Sequence, residues 1–179
     1  MKKTTKYSIG IFGGTFDPPH KGHLKISMIG IKKLKLKKLY WVITNKNPFK
    51  NRTFLSLKTR ILKCKKMTSK NKVIKIIYLE KKIKSSRSIN ILNYFKKKNN
   101  FINPYFFLGS DNLINFHKWK SWKKISKLCR LVVFSRRGYD IRANKSEIVT
   151  YLSKNNIIFV KNKKIDISST KIRSNLRNK

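Results

Sequence analysis

Acidic residues are scarce in this sequence of 179 residues, where six Asp and Glu stand against 46 Lys and Arg and the formal net charge is +40. Histidine (3), cysteine (2), proline (4) and glycine (7) are also few. Cys64 and Cys129 lie far apart and match no metal-ligand spacing. We therefore expect both cysteines to pack as small hydrophobic residues in a reducing cytoplasm, with no metal site of their own.

Long apolar runs are missing as well. No stretch approaches the ~18 consecutive apolar residues that a membrane helix needs. The first six residues lead directly into a strand-like segment, so we expect no signal peptide, no membrane association and a cytoplasmic location. A chain of this length that is 40% hydrophobic suits one domain, predicted to cover 1–179 without repeats or linkers.

The excess of positive charge has two interpretations. A dedicated nucleic-acid surface would need many lysines and arginines. An A+T-rich genome would also over-supply Lys, Asn, Ile, Phe and Tyr, all of which are abundant here. Because the lysines are scattered along the whole chain, we favour compositional bias and expect no specific nucleic-acid partner. Non-specific polyanion binding and salt-dependent stability are expected in either case.

Against this bias, the positions of the rare residues are informative. Three of the six acidic residues, Asp17, Asp111 and Asp166, lie in or beside the motifs described below. Two of the three histidines form the pair His20 and His23, and four of the seven glycines fall within residues 10–22. Such clustering indicates specific roles at these positions.

Apolar segments of strand and helix type alternate along the chain. Strands are predicted at 7–12, 39–43, 73–79, 105–108, 131–135 and 157–160. Helices are predicted at 24–31, 55–67, 89–97, 113–119, 122–128 and 145–154, with a last short helix opened by 167–173. Alternation of this kind indicates right-handed βαβ units in a Rossmann-like, doubly wound parallel sheet with helices on both faces. The Gly-x-Gly-x-x-Gly dinucleotide fingerprint is absent, which argues against a dehydrogenase.

The stretch GGTFDPPHKGHL, residues 13–24, connects the first strand to the first helix. At Gly13 and Gly14 no Cβ prevents backbone N–H groups from approaching a ligand. His23 falls at the helix N-terminus, where the N–H groups and the macrodipole favour an anion, and two imidazoles beside them suit a polyphosphate. The alternatives are a tight turn with capping histidines, or a His pair that binds metal, although no third metal ligand is nearby.

The run GGTFDPPHKGH closely resembles the opening signature of the nucleotidyltransferases that move AMP from ATP onto a phosphate, and its spelling is most like nicotinate-nucleotide adenylyltransferases. The resemblance implies that His20 and His23 are catalytic and contact the α- and β-phosphates of ATP. It places the 13–15 backbone and Phe16 against the nucleotide. It also implies that Mg²⁺ arrives with ATP and takes few protein ligands.

One further segment matches the same superfamily, and another lies at the end of a predicted strand. The run Ile-Ser-Ser-Thr-Lys-Ile-Arg at 167–173 resembles its Ile-Ser-Ser-Thr-x-x-Arg signature, in which the guanidinium of Arg173 forks onto phosphate oxygens. Alone it would be an ordinary helix cap. The segment Gly-Ser-Asp-Asn follows a predicted strand, where Asp111 either accepts from ribose hydroxyls or caps the next helix. The ATP-binding residues implied here are Asp111, Ser168, Ser169, Thr170 and Arg173.

The acceptor side is indicated by Asp-Asn-Leu-x-x-Phe-x-x-Trp-x-x-Trp, which resembles the nicotinate-nucleotide enzymes, where the first tryptophan stacks on the pyridine ring. Core packing on one helix face is the alternative for the two tryptophans, and we expect it for Trp122. The resemblance implies an acceptor pocket formed by Asn45, Lys50, Ser88, Trp119 and Arg136. The chain departs from its relatives at Arg87-Ser88, at Asn-Pro-Phe-Lys in residues 47–50, and at Arg137.

The sequence is therefore expected to encode a nicotinate-nucleotide adenylyltransferase whose substrates are ATP and nicotinate mononucleotide. Two alternatives stay open: an adenylyltransferase for another acceptor, such as nicotinamide mononucleotide or phosphopantetheine, and a nucleic-acid-binding protein on a degenerate enzyme fold. The oligomeric state is also open, a homo-oligomer included.

Overall fold

The computed structural model describes residues 7–46, 52–98, 104–152, 156–162 and 167–177. Its strands are β1 Ile9–Gly14, β2 Lys38–Ile43, β3 Ile74–Ile77, β4 Tyr105–Gly109, β5 Arg130–Phe134 and β6 Ile157–Val160. Its helices are α1 Lys21–Lys33, α2 Leu57–Thr68, α3 Glu80–Ile83, α4 Ser88–Lys98, α5 Ser110–Ile114, α6 Trp122–Leu128, α7 Asp140–Asn144, α8 Glu147–Tyr151 and α9 Ser169–Arg177, with a 3₁₀ turn at Phe116–Lys118.

The six strands form one parallel sheet in the order β3-β2-β1-β4-β5-β6. This is the doubly wound order. The chain adds β1 to β3 toward one edge of the sheet and then crosses back to add β4 to β6 toward the other edge, so the strand order reverses between β1 and β4. In open sheets of this kind, ligands bind outside the carboxyl ends of the strands at that reversal. The predicted fold class is confirmed, and both strands at the reversal carry residues of the predicted site at their carboxyl ends.

Two hydrophobic cores lie on opposite faces of the sheet. Successive residues of β4 and β5 alternate between them: Phe106 and Leu131 pack with α4 and α5, whereas Phe107 and Val132 pack with α1 and α2. Strand residues buried on both sides are expected when helices cover both faces. No helix in the described part of the chain is long and apolar enough to cross a membrane.

Most strand boundaries differ slightly from the sequence predictions. β1 covers Ile9–Gly14 rather than 7–12, because its pairing with β2 continues through Gly13 and Gly14, opposite Val42 and Ile43. β3 is shorter than the predicted 73–79, since it pairs with β2 only through Ile74–Ile77. β4 ends at Gly109, one residue later than predicted, and β5 starts at Arg130. β6 at Ile157–Val160 is as predicted.

Several helix predictions were wrong. The predicted helix 145–154 is shorter: α8 covers Glu147–Tyr151, because the backbone is extended at Ser146 and at Leu152, and α7 was not predicted. The predicted helix 113–119 is α5 followed by the 3₁₀ turn, so Trp119 and Trp122 do not share one helix. α1 starts three residues before the predicted 24–31. In α2, the apolar Leu62 is 56% exposed, whereas the cationic Arg60 is buried.

Candidate active site

The predicted site residues gather around the first loop, defined here as residues 13–20, between β1 and α1. Gly13 and Gly14 end β1 at the reversal in the sheet. A Cβ at Gly13 would meet only Phe106, at 4.0 Å, and one at Gly14 would meet only the ring of Phe16. Among the described residues, a side chain at Gly13 would thus meet almost no protein atom within 4 Å, as close approach of a ligand to this backbone requires.

His20 and His23 cap α1 reciprocally. The backbone N–H of Gly22 donates to Nδ1 of His20 over 3.1 Å, and the backbone N–H of His20 donates to Nδ1 of His23 over 3.2 Å. This is the arrangement of a capping box, with histidines in place of the usual Ser or Thr and Glu. The ring centroids lie 3.8 Å apart. The capping alternative raised from the sequence is thus confirmed, and capping uses only one nitrogen of each ring.

The two imidazoles are neutral at pH 7. Burial, with a smaller contribution from the Arg136 guanidinium, lowers the pKa of His20 from 6.5 to about 4. Burial also lowers the pKa of His23 well below its usual range, and His20 and Arg136 add to the effect. Because Nδ1 of each ring accepts a backbone N–H, the single ring proton belongs on Nε2. Each histidine therefore offers Nε2–H as a hydrogen-bond donor.

The ring of His20 leaves no room for a side chain at Gly22. A Cβ at position 22 would lie 2.8 Å from Nδ1 and 2.9 Å from Cε1 of His20, and 3.2 Å from Cγ2 of Ile167. The first two distances are shorter than real carbon contacts allow. The glycine of His-x-Gly-His thus makes room for the histidine that precedes it by two residues.

The side chain of Phe16 holds the ring of His23 in place. It is 2% exposed, stacks on Trp41 at 4.7 Å and packs against the His23 ring at 4.9 Å. Its φ of 48° lies in the left-handed region, which is costly for a non-glycine residue and is held by this packing. The indole N–H of Trp41 donates to Ser27, whose hydroxyl donates to the carbonyl of His23. Phe16 therefore positions His23, and only its backbone is left to meet the predicted nucleotide.

Asp111 and Arg136 form an ion pair between the carboxyl ends of the neighbouring strands β4 and β5. Asp111 lies in the first turn of α5, directly after β4, and its Oδ2 accepts from Nη1 of Arg136. α5 has Gly109 at its N-cap position without a side-chain cap, so the expected capping role of Asp111 was wrong. Oδ1 of Asp111 is buried and has no hydrogen-bond partner in the described part of the chain. The positive charge of Arg136 contributes to the low pKa of both His20 and His23.

The C-terminal motif packs on the first loop. Ser168 accepts from the backbone N–H of Lys171, so the motif does contain a helix cap, at the start of α9. Ser169 donates instead to the carbonyl of Pro18 over 3.0 Å. Arg173 donates to the carbonyl of Asp17 over 2.6 Å and to the hydroxyl of Thr170 over 3.0 Å. The structure thus joins the two ends of the chain, residues 17–18 and 168–173, at one site.

The predicted acceptor residues lie on neighbouring elements. The backbone N–H of Asn45, just past β2, donates to Glu80 over 2.8 Å. Ser88 begins α4, and the carbonyl of Arg87 before it accepts the first hydrogen bonds of the helix. Trp119 is partly buried against Phe106 and Phe116, at 6.3 Å and 5.1 Å. Lys50 lies outside the described residues.

Sequence reasoning missed Arg60 and gave Asp17 no role. The Asp17 carboxylate accepts from the backbone N–H groups of Phe54 and Leu55, at 2.6 Å and 2.8 Å. Arg60 is fully buried and donates to four backbone carbonyls near the site. Burial lowers its pKa, and the nearby Asp17 carboxylate opposes that shift. The available signal was the position of Arg60 in the buried stripe of α2, one turn before Cys64.

Known proteins match this chain over nearly its whole length. Residues 11–175 match the model of the cytidylyltransferase-like family. A protein of Pelagibacter ubique named a probable nicotinate-nucleotide adenylyltransferase is 48% identical over 168 residues, which cover 94% of this chain and 93% of the relative. One of Agrobacterium fabrum with the same name is 32% identical over 184 residues, with 93% and 98% covered.

Solved structures give the same fold. The nicotinic acid mononucleotide adenylyltransferase of Plasmodium falciparum complexed with APC superposes with a TM-score of 0.72 at 18% identity, over 94% of this chain and 83% of that one. The same protein complexed with NaAD gives a TM-score of 0.71 at 20% identity, with the same coverage.

Proposed function

This chain belongs to the cytidylyltransferase-like family, among the nicotinate-nucleotide adenylyltransferases, and from this we propose that it transfers AMP from ATP to nicotinate mononucleotide. The products are deamido-NAD and pyrophosphate, and the reaction is a step in NAD biosynthesis. The observation that carries the proposal is the reciprocal capping of His20 and His23, which leaves two neutral N–H donors beside Arg136 at the reversal in the sheet.

The chemistry needs no general base. The phosphate of the acceptor is already an anion, and its oxygen attacks the α-phosphorus of ATP in line while pyrophosphate leaves. Catalysis then depends on positioning and on stabilising the charge that develops on the phosphate oxygens. Nε2–H of His20 and of His23 would donate to those oxygens, and the Arg136 guanidinium would supply positive charge beside them.

The other predicted residues support the nucleotide. The backbone of Gly13 and Gly14 would face the phosphates of ATP. The N–H groups of Arg173 that do not bond Asp17 or Thr170 would donate to the same phosphates from the side opposite the two glycines. Asp111 would accept from a ribose hydroxyl through Oδ1, the buried oxygen that lacks a partner in the described chain. Trp119 would stack on the pyridine ring of the acceptor, with Asn45 and Ser88 along the same pocket.

Enzymes that transfer phosphoryl or nucleotidyl groups from ATP use a divalent cation, which bridges phosphate oxygens and neutralises charge. We propose that Mg²⁺ enters as part of Mg·ATP and not as a resident metal. The donors around the first loop are mostly N–H groups and a guanidinium, which suit phosphate oxygens. The described residues contain no cluster of three His, Cys, Asp or Glu side chains suited to a metal ion.

The proposal is tested by pyrophosphate release from Mg·ATP, with nicotinate mononucleotide and nicotinamide mononucleotide as parallel acceptors. We expect strong preference for the acid. Equal use of both nucleotides would leave the proposed mechanism unchanged and show that the enzyme accepts either one. Pyrophosphate release with phosphopantetheine alone would show that phosphopantetheine is the acceptor. If no acceptor supports pyrophosphate release, the nucleic-acid-binding alternative becomes the preferred interpretation. It predicts that the affinity for polyanions falls steeply as the salt concentration rises. The single domain over 1–179, the cytoplasmic location and the oligomeric state stay predictions.

A further inference from the structure

Arg60 is a buried cation held mainly by backbone carbonyls. The side chain is fully buried in the first half of α2. Nη1 donates to the carbonyls of Thr15 and Thr44 over 2.6 Å and 2.7 Å, and Nη2 to that of Asn45 over 2.9 Å. Nε donates to the carbonyl of Leu55 over 3.2 Å. Among the described residues no carboxylate forms a salt bridge with it.

The four carbonyls come from three segments that meet at the site. Thr15 belongs to the first loop, where the phosphates of ATP are proposed to bind. Thr44 and Asn45 follow β2 and open the loop proposed to meet the acceptor nucleotide. Leu55 precedes α2, and this segment is tied to the first loop a second time, by the Asp17 carboxylate. One guanidinium therefore connects the ATP side of the site to the acceptor side.

Stability alone does not account for an arginine here. Removing a cation from water costs several kcal/mol, and well-packed apolar residues often replace buried ionic groups without loss. Leu57 and Cys64 on either side of Arg60 are apolar, but an apolar residue at position 60 would leave the four carbonyls without this donor, so Arg60 also stabilises the fold. Only a planar fork of five donors can hold several carbonyls in fixed relative positions, which the point charge of a lysine cannot do.

We propose that Arg60 is a positioning residue, which sets the distance between the loop that binds ATP and the loop that binds the acceptor. In-line transfer requires the attacking oxygen within about 3–3.5 Å of the α-phosphorus, and misplacement by about 1 Å costs up to about 10²-fold in rate. The inference rests on the proposed function. It adds a residue that touches neither substrate.

The test compares Arg60→Lys and Arg60→Met with Lys63→Met, an exposed position on the same helix. For each folded variant we would measure kcat, both KM values and the affinity for Mg·ATP alone, well below the melting temperature. We expect Arg60→Met to lose about 10²-fold in kcat and Arg60→Lys about 10-fold or more, with Mg·ATP affinity near that of the wild type. A merely structural role would lower the melting temperature and leave kcat unchanged.

Hydrogen exchange gives a readout that does not depend on turnover. In Arg60→Lys we expect faster exchange in both 13–20 and 44–46, with no change in Lys63→Met. An inactive wild-type protein would count against the proposed function, and the exchange comparison would still test the coupling. The inference is overturned if the Arg60 variants match Lys63→Met in exchange at both loops, or in kcat and KM.

Discussion

His20 and His23 cap the same helix: Nδ1 of His20 accepts from the backbone N–H of Gly22 over 3.1 Å, and Nδ1 of His23 accepts from the backbone N–H of His20 over 3.2 Å. This relationship gives one residue pair two functions. One nitrogen of each ring completes the start of α1, and the other carries the proton that the proposed chemistry uses. The low pKa of both histidines follows mainly from their burial, to which the Arg136 charge adds.

Acidification should destabilise the fold through these histidines. The pKa of His20 is about 4 in the folded protein against 6.5 for a free side chain, so the unfolded chain binds more protons between these values. The free energy of unfolding should therefore fall as the pH drops from about 6.5 to about 4, and His20→Asn should show a smaller fall. Urea unfolding at several pH values measures both slopes, and parallel slopes would contradict the assignment.

Gly22→Ala should disable the site without unfolding the protein. The added Cβ would lie 2.8 Å from Nδ1 of His20, so the ring must move. Displacement of a reacting group by about 1 Å is expected to lower turnover by about 10²-fold. Steady-state kinetics would measure the loss, with Lys25→Ala, an exposed substitution on α1, as the control. Wild-type turnover in Gly22→Ala would show that the close contact has no catalytic consequence.

Trp119→Ala should weaken binding of the acceptor nucleotide. Stacking of a base on an aromatic side chain contributes about 1–3 kcal/mol, which corresponds to an increase of about 5- to 150-fold in KM for nicotinate mononucleotide. The KM for ATP should not change. Trp122→Ala is the matched control, because Trp122 packs against Tyr151. Equal effects of the two substitutions on the acceptor KM would assign Trp119 to the core alone.

The net charge of +40 should make stability depend on salt. Repulsion between like charges destabilises the compact state, and raising the salt from about 0.1 M to about 1 M shortens its range from about 10 Å to about 3 Å. We expect the melting temperature to rise over this range, measured by calorimetry. Chloride and a second monovalent anion should act alike, and a flat response would show that the surface charges do not interact appreciably.

The sequence predicted the sheet and the site motifs better than the helix ends. Strand β6 and helix α6 were predicted at their observed residues because apolar patterns of the right period have clear limits there. The limits of α8 within the predicted 145–154 were missed, since no Gly or Pro marks the extended residues Ser146 and Leu152. Short-range capping at Ser168 was predictable from residue type.

Long-range partners in the site could not be predicted. Arg60 is one of 46 basic residues, and its acceptors are backbone carbonyls that carry no signal in the sequence. The ion pair between Asp111 and Arg136 joins residues 25 positions apart, and only the order of the strands brings them together. The resemblance had assigned these two residues to different substrates, whereas the structure makes them neighbours.

The central claim is that Nδ1 of His20 caps the helix while Nε2–H serves the polyphosphate, and His20→Asn tests it most directly. The Asn side chain can accept from Gly22 as Nδ1 does but has no donor at the Nε2 position. In pyrophosphate release from Mg·ATP and nicotinate mononucleotide, His20→Asn and His20→Ala should both lose about 10²-fold in kcat. Only His20→Ala should also lose stability, by about 1 kcal/mol. Turnover by His20→Asn at the wild-type rate would contradict the account.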